Sequence, residues 1–103
     1  MNETTTLQVI ARVIARPDTV DAVKRILVGM LEPSRDEDGC LVYELLQCQD
    51  DPTDFTFVEE WTDAAALERH AASPHIAGVQ PELQALVALP TVVRKYALIE
   101  KQP

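Results

Sequence analysis

His70 and His75 are the side chains best able to exchange a proton near neutral pH, and they stand five positions apart. They close a stretch that runs Glu59-Glu60-Trp61-Thr62-Asp63, Ala64-Ala65-Ala66-Leu67-Glu68-Arg69-His70, Ala71-Ala72-Ser73-Pro74-His75. Either imidazole can serve as a general base toward a phenol or an activated C–H. Equally, each can be a polar helix-end residue that meets the C-terminal dipole. A metal site is not expected. Pro74 breaks the i, i+4 geometry of a single helix face, and two ligands without a clear third hold an ion poorly.

Glu59 alternates with Phe57 and Trp61, which places a carboxylate on their face of a strand. A buried carboxylate needs a partner, and Arg12, Arg94 or a histidine is the expected one. The alternative is a solvated Glu59 near a sheet edge. Trp61 is a core residue or an aromatic wall for a planar ligand. Tyr43 and Tyr96 bring phenol hydroxyls toward a pocket or simply pack. Tyr43, Glu59, Trp61 and Tyr96 are thus the substrate-binding candidates, and His70 and His75 the catalytic ones.

Other chemistries find no support. The glycines, Gly29, Gly39 and Gly78, are too scattered to cradle a phosphate, and no dinucleotide fingerprint or nucleophile elbow is present. Cys40 and Cys48 fall on one expected strand, roughly 26 Å apart at ~3.3 Å per residue. They cannot form a disulfide there. They read as free, buried thiols of a reducing compartment.

The elements that must position these residues follow from periodicity. Leu7 to Ile14 is a β-branched strand. Asp18 or Thr19 caps a helix whose stripe is Val20, Val23, Ile26, Leu27, Met30 and Leu31, and Pro33 ends it. The acidic run Arg35-Asp36-Glu37-Asp38-Gly39 reads as a solvated turn. Cys40–Cys48 and Phe55–Trp61 form a hairpin. Thr62 or Asp63 caps a second helical region. Ser73-Pro74 breaks it, and a further piece covers 81–89. Thr91–Glu100 is the last strand. The order β-α-β-β-α-β is the ferredoxin-like α+β arrangement: an antiparallel sheet with helices on one face.

Both sheet faces are apolar. Tyr43 and Leu45, with Leu41, alternate with Val42 and Leu46; Val9, Ala11 and Val13 alternate with Ile10 and Ile14. Helices cover one face in this topology, so the other predicts a second copy packed sheet on sheet, a homodimer.

The totals bound the rest. A chain of 103 residues with 47% hydrophobic and 25% charged residues is one globular domain, 1–103, with its core at about 7–98. Net charge −8 argues against nucleic acid and anionic membranes as partners. No apolar run approaches a membrane span, and the N-terminus lacks the pattern of a secretory signal, so a cytoplasmic protein is expected.

The segment from Arg35-Asp36-Glu37-Asp38-Gly39-Cys40 to Leu41-Val42-Tyr43-Glu44 resembles the antibiotic biosynthesis monooxygenase family, quinol monooxygenase branch included. So does Glu60-Trp61 followed by Ala66-Leu67, His70 and Ser73-Pro74-His75. The resemblance covers about Leu7 to Leu98. It implies a dimeric α/β barrel, with a pocket in each subunit between sheet and helices. It also implies oxygenation of a small phenolic or quinone-like aromatic molecule with no metal, flavin or haem cofactor. His70 or His75 would be the base and Trp61 would line or support the pocket. Haem-degrading members of the fold carry a first-strand asparagine, a tryptophan at the position of His70 and a haem-ligating histidine near the position of Gln80; this chain has none of these. A further branch isomerises a phosphorylated signalling sugar, for which Arg12, Arg69 and Arg94 are the candidate phosphate ligands. A non-catalytic small-ligand-binding dimer is the remaining alternative.

Overall fold

The computed structural model describes residues 6–99. Four strands form one antiparallel sheet: β1 (Leu7–Ile14), β2 (Cys40–Gln47), β3 (Asp54–Trp61) and β4 (Val92–Tyr96). Their spatial order is β2-β3-β1-β4. Helices α1 (Val20–Gly29) and α2 (Leu31–Arg35) follow β1, and α3 (Ala64–Ala72), α4 (Pro74–Ala77) and α5 (Gln80–Leu86) follow β3. This is the ferredoxin-like α+β fold. No helix among the described residues is long and apolar enough to cross a membrane.

Strict alternation fixes which residues face the helices. β3 buries Phe55, Phe57, Glu59 and Trp61 on one side, while Val9, Ala11 and Val13 stand opposite Glu59, Phe57 and Phe55 on β1. Tyr43 of β2 also stands opposite Glu59. Against this face pack Val23 and Leu27 of α1, Ala66 and His70 of α3, Ile76 of α4 and Leu83 of α5. One-residue slippage would expose the whole set, so burial holds the register.

Local departures from the expected boundaries have steric reasons. Pro33 does not end a helix. It sits in the first turn of α2, where its missing N–H is not needed, and the break falls at Met30. The second helical region splits into three pieces, because Pro74 and Pro81 each begin a new one. Asp63, not Thr62, caps α3, its side chain accepting from the Ala66 N–H at 2.9 Å. Thr19 precedes α1 but caps nothing; its hydroxyl donates to the Leu86 carbonyl at 2.7 Å and ties α1 to α5. The register of β2 shifts between Cys40 and Val42, which leaves Leu41 half exposed rather than beside Tyr43. β4 ends at Tyr96, and the expected terminus at Glu100 lies outside the described residues. Cys48 is exposed rather than buried.

Gly39 governs the approach of the α2–β2 turn to α3. Its φ of 89° is the left-handed region, and an added Cβ would lie 2.6 Å from Ala66 Cβ and 2.7 Å from Thr62 Oγ1. Ala66 is fully buried and cannot yield. Gly39→Ala is therefore expected to destabilise the fold by at least ~1–3 kcal/mol, read as a lower denaturation midpoint in urea.

Candidate functional site

A cavity of about 400 Å³ lies between the inner sheet face and the helices. Its walls are mainly apolar, from Val9, Ala11, Val13, Phe57, Leu27 and Met30. Three polar side chains sit within this lining and are almost fully buried: Tyr43, Glu59 and His70. Glu68, Gln80, Thr91 and Lys95 are its further polar residues.

His70 belongs to the last turn of α3. Its Nδ1 lies 2.8 Å from Glu37 Oε2. The ring is buried, and no hydrogen bond to its Nε2 is seen among the described residues. The Glu37 carboxylate, an acceptor, selects the tautomer with the proton on Nδ1. That tautomer leaves Nε2 with its lone pair, on a ring that lines the cavity.

His75 leads to the same carboxylate from another side. Ser73 adopts an extended conformation between α3 and α4, and Pro74 starts α4. The chain thereby turns the second ring back, so that its Nε2 lies 2.7 Å from the same Glu37 Oε2 and 3.3 Å from Ser73 Oγ. The ring centroids of His70 and His75 are 6.1 Å apart. Three side chains from the α2–β2 turn, α3 and α4 thus meet at one oxygen.

Glu59 and Trp61 form a second unit. Trp61 is fully buried, and its Nε1–H donates to Glu59 Oε1 at 2.9 Å. Tryptophan, not arginine, is the partner of this carboxylate. Arg12 instead pairs with Asp54 at 2.7 Å on the opposite sheet face. Burial pushes the Glu59 carboxyl above its ordinary value, against the opposing effects of the Trp61 bond and the nearby His70. Burial, reinforced by the Glu59 charge, pushes the Tyr43 hydroxyl well above the ordinary phenol range. Both groups are biased toward protonated, hydrogen-bond-donating forms. The Trp61 and His70 rings are tilted at 4.6 Å between centroids, and Tyr43 meets His70 edge-on at 5.3 Å.

The structure brings together Tyr43, Glu59 and His70 on the cavity, with Trp61 behind Glu59 and His75 behind Glu37. It places Tyr96 elsewhere. That residue stands opposite Gln8 on the outer sheet face and is 46% exposed. Arg12, Arg69 and Arg94 do not line the cavity, and Lys95 is its basic residue. Glu37 was hidden inside an acidic run that reads as solvated, although its side chain is only 15% exposed. Its place two residues before Gly39 was the available signal.

The raised Glu59 value has a consequence for stability. A carboxyl that holds its proton more tightly when folded carries no penalty at pH below its unfolded value, 4.5. Stability is then lost as pH rises from there through the folded value. Glu59→Gln keeps the acceptor for Trp61 and removes the buried charge. Its melting temperature is expected to exceed that of the parent at pH 7–8, with the difference shrinking as the pH is lowered toward 4.5.

Residues 6–82 match the sequence profile described as Antibiotic biosynthesis monooxygenase. The Mycobacterium tuberculosis protein Rv0793, named provisionally as a monooxygenase, is 32% identical over 98 residues, covering 95% of this chain and 96% of the relative. The crystal structure of PA3566 from Pseudomonas aeruginosa superposes with a TM-score of 0.90 at 33% identity, covering 97% of this chain and 100% of that one. A solved structure described as an antibiotic biosynthesis monooxygenase gives a TM-score of 0.86 at 34% identity, covering 91% and 99%. With most of its length matched by the profile and by full-length relatives, the chain belongs to the antibiotic biosynthesis monooxygenase family.

Proposed function

We propose that the chain is a monooxygenase that oxidises a small phenolic or quinol-type aromatic molecule with dioxygen and without a bound cofactor, with His70 as the base. The observation that carries this reading is the pairing of Nδ1 of His70 with Glu37 at the edge of an apolar cavity. The cavity, about 400 Å³, is in the range for a single small aromatic ligand. Phe57 and Tyr43 offer it an aromatic wall.

The chemistry follows from those groups. Nε2 of His70 takes the proton of a phenolic hydroxyl, and the resulting phenolate is electron-rich enough to give one electron to dioxygen. The radical pair couples at a ring carbon, forming a C–O bond. The peroxide loses water as its O–O bond breaks and the ring C–H proton departs. One oxygen atom remains as a carbonyl, the other leaves as water, and a phenol plus O2 becomes a quinone plus H2O. The mainly apolar walls exclude bulk water from the anion, which favours its oxidation. The Tyr43 hydroxyl donates a hydrogen bond to a substrate oxygen, and Glu59, bonded to Trp61, borders the same space. His75 holds Glu37 in place and does not touch the substrate.

A homodimer is part of the same proposal. The outer sheet face carries Ile10, Ile14, Val42 and Val58, half buried, beside exposed Leu46, Val92 and Tyr96. An apolar face of this size is unfavourable in water at roughly 25 cal/mol per Å². Light scattering is expected to give twice the chain mass, and Leu46→Asp with Val58→Asp to shift it toward the monomer. A monomeric parent contradicts the dimer.

Oxygen uptake by purified, chelator-treated protein with a panel of reduced quinones and phenols tests the activity. Uptake is expected with at least one, with a loss of about 100-fold or more in kcat for His70→Ala and a smaller loss for His75→Ala. Binding of the same compounds with no uptake would identify a ligand-binding protein instead. An unaffected His70→Ala variant would remove the base.

A further inference from the structure

We infer that Glu37, His70 and His75 form a binding site for a divalent transition-metal cation, and that the cation switches off the base at His70. Their ligand atoms, Glu37 Oε2, His70 Nδ1 and His75 Nε2, all lie within 4.8 Å of one another. Two imidazoles and one carboxylate are the donor set of zinc and of non-haem iron, and they leave coordination positions open. Pro74, which breaks the one-helix geometry, is what allows the site: it puts the rings on different helices, and the turn before β2 supplies the third ligand. All three side chains are already ordered by the mutual contacts at 2.7 and 2.8 Å.

The fit requires the three side chains to readjust. Ligand atoms at ~2.0–2.2 Å from an ion stand roughly 3.0–3.5 Å from each other. The two contacts to Glu37 open by a few tenths of an ångström, and the imidazoles close toward each other. Ser73 Oγ, now 3.3 Å from His75 Nε2, can contact an ion-bound water.

Metal binding reverses the histidine tautomers. In the free protein the proton of His70 is on Nδ1, bonded to Glu37, and Nε2 is the acceptor. The cation takes the Nδ1 lone pair, so the proton moves to Nε2 and His75 Nε2 likewise gives its proton to its own Nδ1. No proton is released. His70 then presents a donor to the cavity and cannot accept the substrate proton. The binding itself stands independently of the oxygenase reading; the inhibition rests on it.

The test is calorimetric titration of zinc chloride into chelator-stripped protein, repeated with Glu37→Gln and His75→Ala, and with an Asp36→Asn/Asp38→Asn control. The expected result is one zinc per chain, weakened at least tenfold in each of the first two variants and little changed in the control. Circular dichroism checks that each variant is folded. Side-chain 15N spectra on zinc addition are expected to show the His70 ring nitrogens exchanging protonation. No zinc binding, parent-like binding by both Glu37→Gln and His75→Ala, or loss in the control alone overturns the inference. None of those results touches the oxygen-uptake assay. Conversely, zinc binding by a protein without uptake removes the oxygenase reading and keeps the site.

Discussion

A single carboxylate oxygen organises the site. Glu37 Oε2 accepts from two imidazoles at 2.8 and 2.7 Å, and the three residues come from separate segments. The arrangement requires the α2–β2 turn to lie against α3. Gly39 permits this with its left-handed backbone and its lack of a side chain beside Ala66 and Thr62. The same turn is held by the bond from the Thr62 N–H to the Gly39 carbonyl at 2.9 Å. Close packing of the chain, then, fixes the tautomer of a ring at the cavity wall. A flexible turn would leave Glu37 in water and His70 free to choose either tautomer.

The second constraint is the cost of polar groups inside an apolar chamber. Glu59 occupies a position that burial alone would give to a hydrophobic residue, in a row of Phe55, Phe57 and Trp61. One indole N–H offsets part of its desolvation. What remains raises its affinity for a proton. Burial raises the Tyr43 hydroxyl in the same way. The apolar sheet that creates the chamber has a second face on which no helix among the described residues packs, and that face is where the proposed partner subunit would lie.

Element order and the faces of most strand residues are legible in the sequence, because period-2 alternation leaves little freedom in β3; the register shift after Cys40 takes Leu41 off the expected face. The helix pieces were less so, since proline at a first turn and proline at an interruption look alike without knowing which N–H groups are needed. Glu37 was missed because a run of Arg35, Asp36, Glu37 and Asp38 has the composition of a solvated loop, and burial of one member depends on a turn whose direction only Gly39 sets. Tyr96 was misplaced because the face of β4 depends on its register with β1, which composition does not reveal. The partner of Glu59 was sought among cations, although its neighbour two residues on could donate instead.

The account depends most directly on which ring nitrogen of His70 carries the proton. Side-chain 15N spectra of uniformly labelled, metal-free protein at neutral pH measure it. The predicted result is a pyrrole-like Nδ1 and a pyridine-like Nε2, with the pattern lost in Glu37→Gln. A His70 protonated on Nε2, or a pattern unchanged when Glu37 is replaced, would contradict the claim that this carboxylate prepares the base.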